Sequence, residues 1–246
     1  MKRMGITLVA AFCAVAVLCV YVFAAPPDRD ENSPRVLTKF QFIHYRRGPA
    51  KPPAPPGGGK KEDQGGYTYI AKGARWKTVE PFVLNPTNGD AVPQSLLENA
   101  TALGIAEWEK YGGNIFGSLA VDTSVSYDDS APDGLNALSF GSYGDSRVIA
   151  ITTVWGYFGG PPSQREIIEA DILFNELYLW GDADVNSVVM DFQNIATHEL
   201  GHCAGMGDLY NSGDSLETMY GYSTEGEILK RDLYKGDITG ITKLYQ

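Results

Sequence analysis

Two histidines one helical turn apart, with a glutamate between them, are the residues of this sequence best suited to chemistry. They are His198, Glu199 and His202, in the stretch NIATHELGHCAGMGDLYNSGDSLETMY. On a helix, residues four apart lie on one face with Cβ atoms about 5–6 Å apart, so two imidazoles can bind one metal ion at roughly 2.0–2.1 Å. Glu199 is rotated away from that line. Its carboxylate is therefore placed to act as a general base on a water molecule at the metal.

A helical pair leaves a tetrahedral zinc ion short of a protein ligand, and the sequence offers one nearby. Gly205 can adopt a positive φ angle and so end the helix within one residue. Asp208, three residues later, can return a carboxylate oxygen at roughly 2.0–2.2 Å, which leaves the fourth position for water. We therefore predict a zinc site made by His198, His202 and Asp208, with Glu199 as the catalytic residue.

The run from His198 to Asp208 resembles the extended zinc motif of the metzincin metallopeptidases, HExxHxxGxx(H or D). Met219, in ETMYGY, stands where that family has its Met-turn. The resemblance to the matrixin branch goes further, because Tyr220 follows Met219 directly and the chain ends in GDITGITKLYQ, much like the closing matrixin helix. The resemblance covers residues 76–246. It implies a zinc endopeptidase in which Met219 forms an apolar floor beneath the metal and Tyr220 lines the pocket wall.

The resemblance also implies a fold and a mode of substrate binding. The expected fold is α+β and zincin-like: a twisted five-stranded mixed sheet, a long helix, an active-site helix below the sheet, and a small C-terminal subdomain that closes the cleft. The strand beginning at Arg147 would be the edge strand above the cleft, pairing with a protein or peptide substrate bound as an extended strand. No PRCG-type cysteine segment precedes the domain, so that form of latency is not expected.

The elements that must hold these residues follow from hydrophobic periodicity and capping signals. A long amphipathic helix is predicted from Pro93 to Tyr111, and Asp191 is the predicted N-cap of the zinc-binding helix. The closing helix has an apolar stripe at Ile238, Ile241, Leu244 and Tyr245. The predicted strands are Trp76–Asn85, Gly117–Tyr127, Arg147–Val154 and Ile168–Tyr178.

The N-terminal residues 1–25 have the layout of a secretory signal, because Lys2 and Arg3 precede an uncharged, largely apolar run. The run from Met4 to Ala25 is also long enough to span a bilayer, which needs about 20 residues, so an uncleaved membrane anchor is an open alternative. In either case the protein is expected to be secreted or extracellular.

Residues 26–66 are predicted to be a pro-segment or flexible linker, and residues 67–246 the metzincin-like catalytic domain. The run KPPAPPGGGKKEDQGG is too rich in proline and glycine to bury much apolar surface. Residues 26–77 carry eleven Lys or Arg against five Asp or Glu, whereas residues 78–246 carry seven against twenty-five. A basic strip could fold over an acidic domain as an inhibitory segment, but a solvated tether is the simpler interpretation.

One part of this N-terminal region has a strand-like pattern. VLTKFQFIHY, from Val36 to Tyr45, alternates over part of its length. It contains His44, which lies far from the zinc motif in the sequence. His44 could cap the zinc in a latent form, but a lone histidine among aromatic residues is more often packed or exposed, and that interpretation is favoured here.

The cysteines and the acidic loops complete the inventory. Cys13 and Cys19 lie in the apolar run, so Cys203 would be alone after cleavage, and we interpret it as a small buried thiol. One loop places several oxygen ligands together and is a possible Ca²⁺ site, although turn-forming residues explain it equally well. Its members are Asp128, Asp129, Asp133 and Asn136.

The length and net charge of the chain limit the number of domains and the kinds of partner that we expect. With 246 residues and 43% hydrophobic content, the chain can form one domain with a real core. We expect a monomer without a nucleic-acid partner, in keeping with a formal net charge of −10. The alternative to a peptidase is a non-catalytic secreted zinc-binding recognition module of the same fold.

Overall fold

The computed structural model describes residues 35–48 and 66–246. The predictions for residues 1–25, for Cys13 and Cys19, and for the proline- and glycine-rich run lie outside these residues, apart from Gly66 at the end of that run. Within the described residues the α-helices are α1 (Gln94–Gly112), α2 (Phe192–Cys203) and α3 (Lys235–Tyr245). The strands are β1 (Thr38–Arg46), β2 (Thr68–Tyr69), β3 (Glu80–Leu84), β4 (Phe116–Val121), β5 (Ala137–Gly141), β6 (Val148–Tyr157), β7 (Glu166–Asn175), β8 (Trp180–Gly181), β9 (Met190–Asp191), β10 (Met206–Gly207) and β11 (Tyr222–Ser223).

A mixed sheet of seven strands forms one layer of the described structure, in the order β11-β1-β6-β7-β5-β3-β4. Strands β7, β5, β3 and β4 run parallel, with β4 at the edge of the sheet, and β6 is antiparallel to β7. The resemblance implies five strands, whereas the described sheet has seven, because β1 and β11 extend it beyond β6. The strand predicted from Arg147 to be the edge strand is β6, which is instead an inner strand paired with β1 and β7. Sequence periodicity could not reveal this extension, because β11 has only two residues and pairing partners are not encoded locally.

The strand predictions differ from the structure in two regions. The first predicted strand was expected to begin at Trp76, but β3 begins at Glu80. The second predicted strand was expected to reach Tyr127, but β4 ends at Val121. The following strand β5 was not predicted. It has five residues, begins directly after an Asp- and Asn-rich loop, and is buried at three consecutive positions, so it lacks the alternation of a half-buried strand.

Helix α1 packs closely on α2, the helix that carries the zinc motif. A Cβ atom added at Gly104 would lie 2.9 Å from the Thr197 side chain. The Trp108 indole N–H donates a hydrogen bond to the Thr197 carbonyl at 2.7 Å. Gly104 allows the backbones of α1 and α2 to approach closely, and the Trp108 hydrogen bond joins the two helices. Together these contacts fix the position of α2 relative to α1.

Both ends of α2 are defined by local chemistry, as the sequence predicts. The Asp191 carboxylate caps the helix by accepting from the Asn194 backbone N–H at 2.8 Å. At the other end Gly205 has a φ angle of +99°, and a Cβ atom there would lie 2.7 Å from the Ala74 carbonyl oxygen. A glycine is therefore required both for the left-handed backbone and for the space.

Helix α3 supports the segment beneath the metal motif. The Asp237 carboxylate, buried in the first turn of α3, accepts hydrogen bonds from the backbone N–H groups of Thr218 and Met219. From Arg35 onward the described residues belong to a single compact unit, so they do not delineate a separate C-terminal subdomain.

Within the part of the chain that the structure describes, no helix has the length and apolar character needed to cross a bilayer.

Candidate metal centre and cleft

Three predicted ligand atoms converge at one point below the sheet. The Nε2 atoms of His198 and His202 each lie 3.3 Å from Oδ1 of Asp208. Two ligands bound at about 2.0–2.1 Å to a tetrahedral ion are themselves separated by roughly 3.3–3.4 Å. The distance from each imidazole nitrogen to the Asp208 oxygen is therefore that of two ligands on one tetrahedral ion, and all three atoms lie within 4.8 Å of one another.

The protein environment leaves these atoms free for a cation. The Nδ1 atom of His198 lies 2.7 Å from the Thr218 carbonyl oxygen, and Nδ1 of His202 lies 3.0 Å from that of Met206. With the proton on Nδ1 in each ring, Nε2 carries the lone pair. All three converging atoms are buried and have no hydrogen-bond partner among the described residues. Buried polar atoms are rarely left so, and a divalent cation would satisfy all three at once.

The carboxylate of Asp208 is oriented by a tyrosine that the sequence analysis did not identify. The Tyr210 hydroxyl donates to Oδ2 of Asp208 at 2.9 Å, so Oδ1 faces the two histidines. Burial disfavours the charged form of Asp208, but the neighbouring His202 and His198 hold its pKa well below the ordinary value. Asp208 is thus an anionic donor. In the sequence, the only indication of this role for Tyr210 is that it follows Asp208 by two residues.

Glu199 lies beside the three donor atoms, and both of its carboxylate oxygens are engaged. Oε1 lies 3.1 Å from Nδ1 of His44, and Oε2 accepts a hydrogen bond from the Thr152 hydroxyl on β6 at 2.5 Å. Burial opposes ionisation of Glu199. The hydrogen bond to His44 and the nearby His198 outweigh burial and keep the pKa of Glu199 below its ordinary value.

The structure corrects the interpretation of His44. The sequence favours a packed or exposed residue over one at the zinc site. His44 is packed, with a fully buried side chain, but its ring centroid lies 3.9 Å from that of His198, at the zinc motif itself. Burial, followed by the charge of His198, lowers the pKa of His44 to about 3, so its ring is neutral and Nδ1–H donates to Glu199. The reason for the error is that β1 pairs with β6, a contact over more than a hundred residues of sequence. Residues 38–46 form a paired strand of the sheet.

The predicted supporting residues also gather at this site. Gly205 makes the turn that returns the chain from α2 toward Asp208. Met219 is fully buried, and its sulfur packs against α2 so tightly that a Cβ atom added at Gly201 would lie 2.3 Å from it. Tyr220 is also buried, and its backbone forms an isolated parallel β-bridge with Leu209, the residue that follows Asp208.

Cys203 is buried, as expected, and burial raises the pKa of its thiol well above the ordinary value. Within residues 35–48 and 66–246 it joins no group of three potential metal ligands. It is a core thiol on the zinc-motif helix rather than a donor.

The acidic loop has an explanation without an ion. Oδ1 of Asp128 accepts from the Ser130 backbone N–H, and Oδ1 of Asp133 accepts from that of Leu135, as turn-forming aspartates do. No group of three potential ligands occurs at this loop within the described residues. Calcium there stays a prediction.

Comparison with known families agrees with this geometry. Residues 150–246 match the family model described as Matrixin, a range that begins within β6 and contains α2, Met219 and α3. No curated protein matches the chain at a significant level. The family match supports a matrixin-like assignment within the metzincins, and with it a zinc-dependent metallopeptidase. The mixed sheet and three helices of the described residues are consistent with that assignment.

Proposed function

We propose that this protein is a secreted zinc endopeptidase, in which His198, His202 and Asp208 hold the metal and Glu199 is the general base. The observation that carries the proposal is the convergence of three buried donor atoms that have no hydrogen-bond partner among the described residues. Each imidazole nitrogen lies 3.3 Å from the Asp208 oxygen, beside a buried glutamate. Secretion is proposed from the N-terminal sequence alone.

A zinc ion held by His198, His202 and Asp208 would supply Lewis acidity toward the scissile carbonyl and a water molecule. Glu199 is placed to accept a proton from the attacking water and to return it to the leaving amine. Thr152, which donates to Oε2, positions the carboxylate. Thr218 and Met206 hold the two imidazoles in the tautomer that presents Nε2.

The alternative is a non-catalytic zinc-binding recognition module of the same fold. A structural zinc site normally closes all four positions with protein ligands. Among the described residues, three ligand atoms converge, from His198, His202 and Asp208. The fourth candidate, His44, lies close to His198 and Glu199 but does not join the group that contains His202 and Asp208. A glutamate beside an incomplete ligand set favours the enzyme.

The test compares zinc content and hydrolysis of denatured casein. Because β1 lies over the centre, the chain is prepared with an engineered cleavage sequence within residues 49–65, folded, cut, and freed of its N-terminal fragment. We expect one zinc ion per chain and hydrolysis that a chelator abolishes. Glu199→Gln should keep the zinc but lose about 10²–10⁴-fold in rate, the usual contribution of a general base.

Matched variants of the third ligand separate metal binding from folding. Asp208→Ala should lose the zinc, whereas Asp208→His, the other residue found in the metzincin motif, should retain it. Turnover by Glu199→Gln equal to that of the parent protein would contradict the base assignment. A zinc-loaded chain that cuts nothing would favour the recognition module.

A further inference from the structure

The cleft above the candidate centre is occupied by a segment of the same chain. β1 pairs antiparallel with β6 from Thr38 opposite Gly156 to Tyr45 opposite Val148. On its other side β1 pairs parallel with β11, where Tyr45 lies opposite Tyr222. An extended segment held between two strands in this way has the geometry of a strand-addition ligand.

The side chains of β1 that point toward the centre contact the residues of the metal motif. Alternate residues of a strand share one face, and Phe42 and His44 are such a pair. The Phe42 ring stacks on His202 with centroids 4.1 Å apart and an interplanar angle of 12°. His44 lies against His198 and binds Glu199. Both metal-motif histidines are therefore covered by β1.

Residues 35–48, which contain β1, form ion pairs with the rest of the domain at three places along their length. Arg35 pairs with Glu166 at 2.5 Å, Lys39 with Asp129 at 3.7 Å, and Arg46 with Glu225 at 3.0 Å. Each exposed ion pair contributes little stability by itself. Together they match a basic strip to an acidic domain, in a single register.

The contact with Glu199 has a direct chemical consequence. One carboxylate oxygen accepts from Thr152 and the other from His44, so the His44 ring lies beside Oε1 where a water molecule would otherwise bind. Removing β1 would free Oε1 and would also expose the β6 edge, with unpaired N–H and C=O groups to which a peptide can bind.

We infer that residues 38–46 are a pseudosubstrate strand, which occupies the peptide-binding edge of β6 and uses His44 to hold Glu199 in an inactive hydrogen bond. This inference rests on the proposed function. The device differs from a cysteine-based one: within the described residues the free cysteine is Cys203, buried on α2.

The experiment uses the intact chain and the cut chain freed of its N-terminal fragment, whose circular dichroism is compared with that of the intact chain. The intact chain carrying Phe42→Ala and His44→Ala is a second arm that needs no removal of β1, and it should hydrolyse casein at least about tenfold faster than the intact parent; equal rates would contradict the inference. A synthetic peptide with the sequence of residues 35–48, labelled with fluorescein, is titrated into the cut protein and its binding followed by anisotropy. The same peptide carrying Phe42→Ala and His44→Ala should bind at least about tenfold more weakly, since buried aromatic anchors dominate such interfaces. A peptide with Val36→Ala, a residue that is exposed and outside β1, should bind as the parent does.

Casein hydrolysis supplies the second readout. The intact chain should be at least about tenfold slower than the cut chain, and the parent peptide should inhibit the cut chain whereas the double variant should not. An intact chain as active as the cut one, or equal binding of the parent and double-variant peptides, would overturn the inference. If the peptides bind as expected but neither chain cuts casein, the strand assignment stands and the hydrolase proposal fails.

Discussion

At the scale of single residues, the metal centre depends on partners that stand behind the ligands. Sequence spacing identifies His198, His202 and Asp208, but the groups that orient them are two backbone carbonyls and the Tyr210 hydroxyl. Such supporting hydrogen bonds fix the tautomer of a histidine and the direction of a carboxylate, and their loss commonly weakens metal binding.

Tyr210→Phe therefore tests the orientation of Asp208. Without the hydroxyl, Asp208 is free to rotate its carboxylate away from the two imidazoles, and zinc affinity should fall about 10- to 100-fold. Competition against a zinc-binding dye measures the change. Tyr222→Phe is the control, because its ring lies against Tyr210 with centroids 5.5 Å apart. Equal affinities in the two variants would mean that the Tyr210 hydroxyl does not position the ligand.

At the scale of elements, the site depends on how α2 ends. Gly205 combines a φ angle of +99° with a close approach to the Ala74 carbonyl, and its own carbonyl accepts from the Ile70 backbone N–H at 3.0 Å. The turn at Gly205 thus fixes the path of the chain from α2 to Asp208. Its hydrogen bond to Ile70 also joins the turn to the segment before β3.

Gly205→Ala should be destabilising for two reasons, the left-handed backbone and the 2.7 Å contact that a Cβ atom would make. We expect a loss of about 1–3 kcal/mol in the free energy of unfolding, together with weaker zinc binding. Urea unfolding in the presence of chelator measures the first effect separately from the second.

The matched control for this variant is Gly213→Ala, in the loop that follows Asp208. A Cβ atom there has no heavy atom within 4 Å, and its φ angle is not among the positive ones. Its effect should stay within about 0.5 kcal/mol. A control that is as destabilising as Gly205→Ala would refute the steric argument.

At the scale of the whole molecule, a buried carboxyl group in the sheet makes stability depend on pH. Asp171 on β7 is buried, and burial together with the charge of Glu169 raises its pKa from 3.8 to about 7. The folded protein then holds a proton that the unfolded chain releases between these two values. The contribution of Asp171 to stability is therefore complete at acidic pH and is lost as the pH rises through about 7.

Asp171→Asn should flatten this dependence, since asparagine keeps an oxygen for the Ala137 backbone N–H and carries no charge. Between pH 4 and pH 7 the parent protein should lose at most ~1.4 kcal/mol per pH unit from this group, and the variant should not. Urea unfolding at pH 5 and pH 8, with chelator present, gives the difference. Glu98→Gln, on a partly exposed face of α1, serves as the control; an unchanged slope in Asp171→Asn would contradict the assignment.

Much of the site follows from local sequence signals. The pairing of two histidines on one helix face, the Asp191 cap and the positive φ angle of Gly205 each depend on residues within about one turn of one another. For that reason α2, its two ends and the gathering of Asp208 with the histidines agree with the sequence prediction. The ligand and catalytic roles stay predictions until metal and activity are measured.

What the sequence by itself determined is the helix, its turn and the chemistry that those residue types permit. Only the tertiary structure decided what lies above them. His44 and Thr152 reach Glu199 through strand pairing between distant segments, and β5 and β11 are too short or too evenly buried for periodicity to reveal. A strand alternates in the same way whichever edge it joins, so its partner depends on the assembled sheet and not on its own residues.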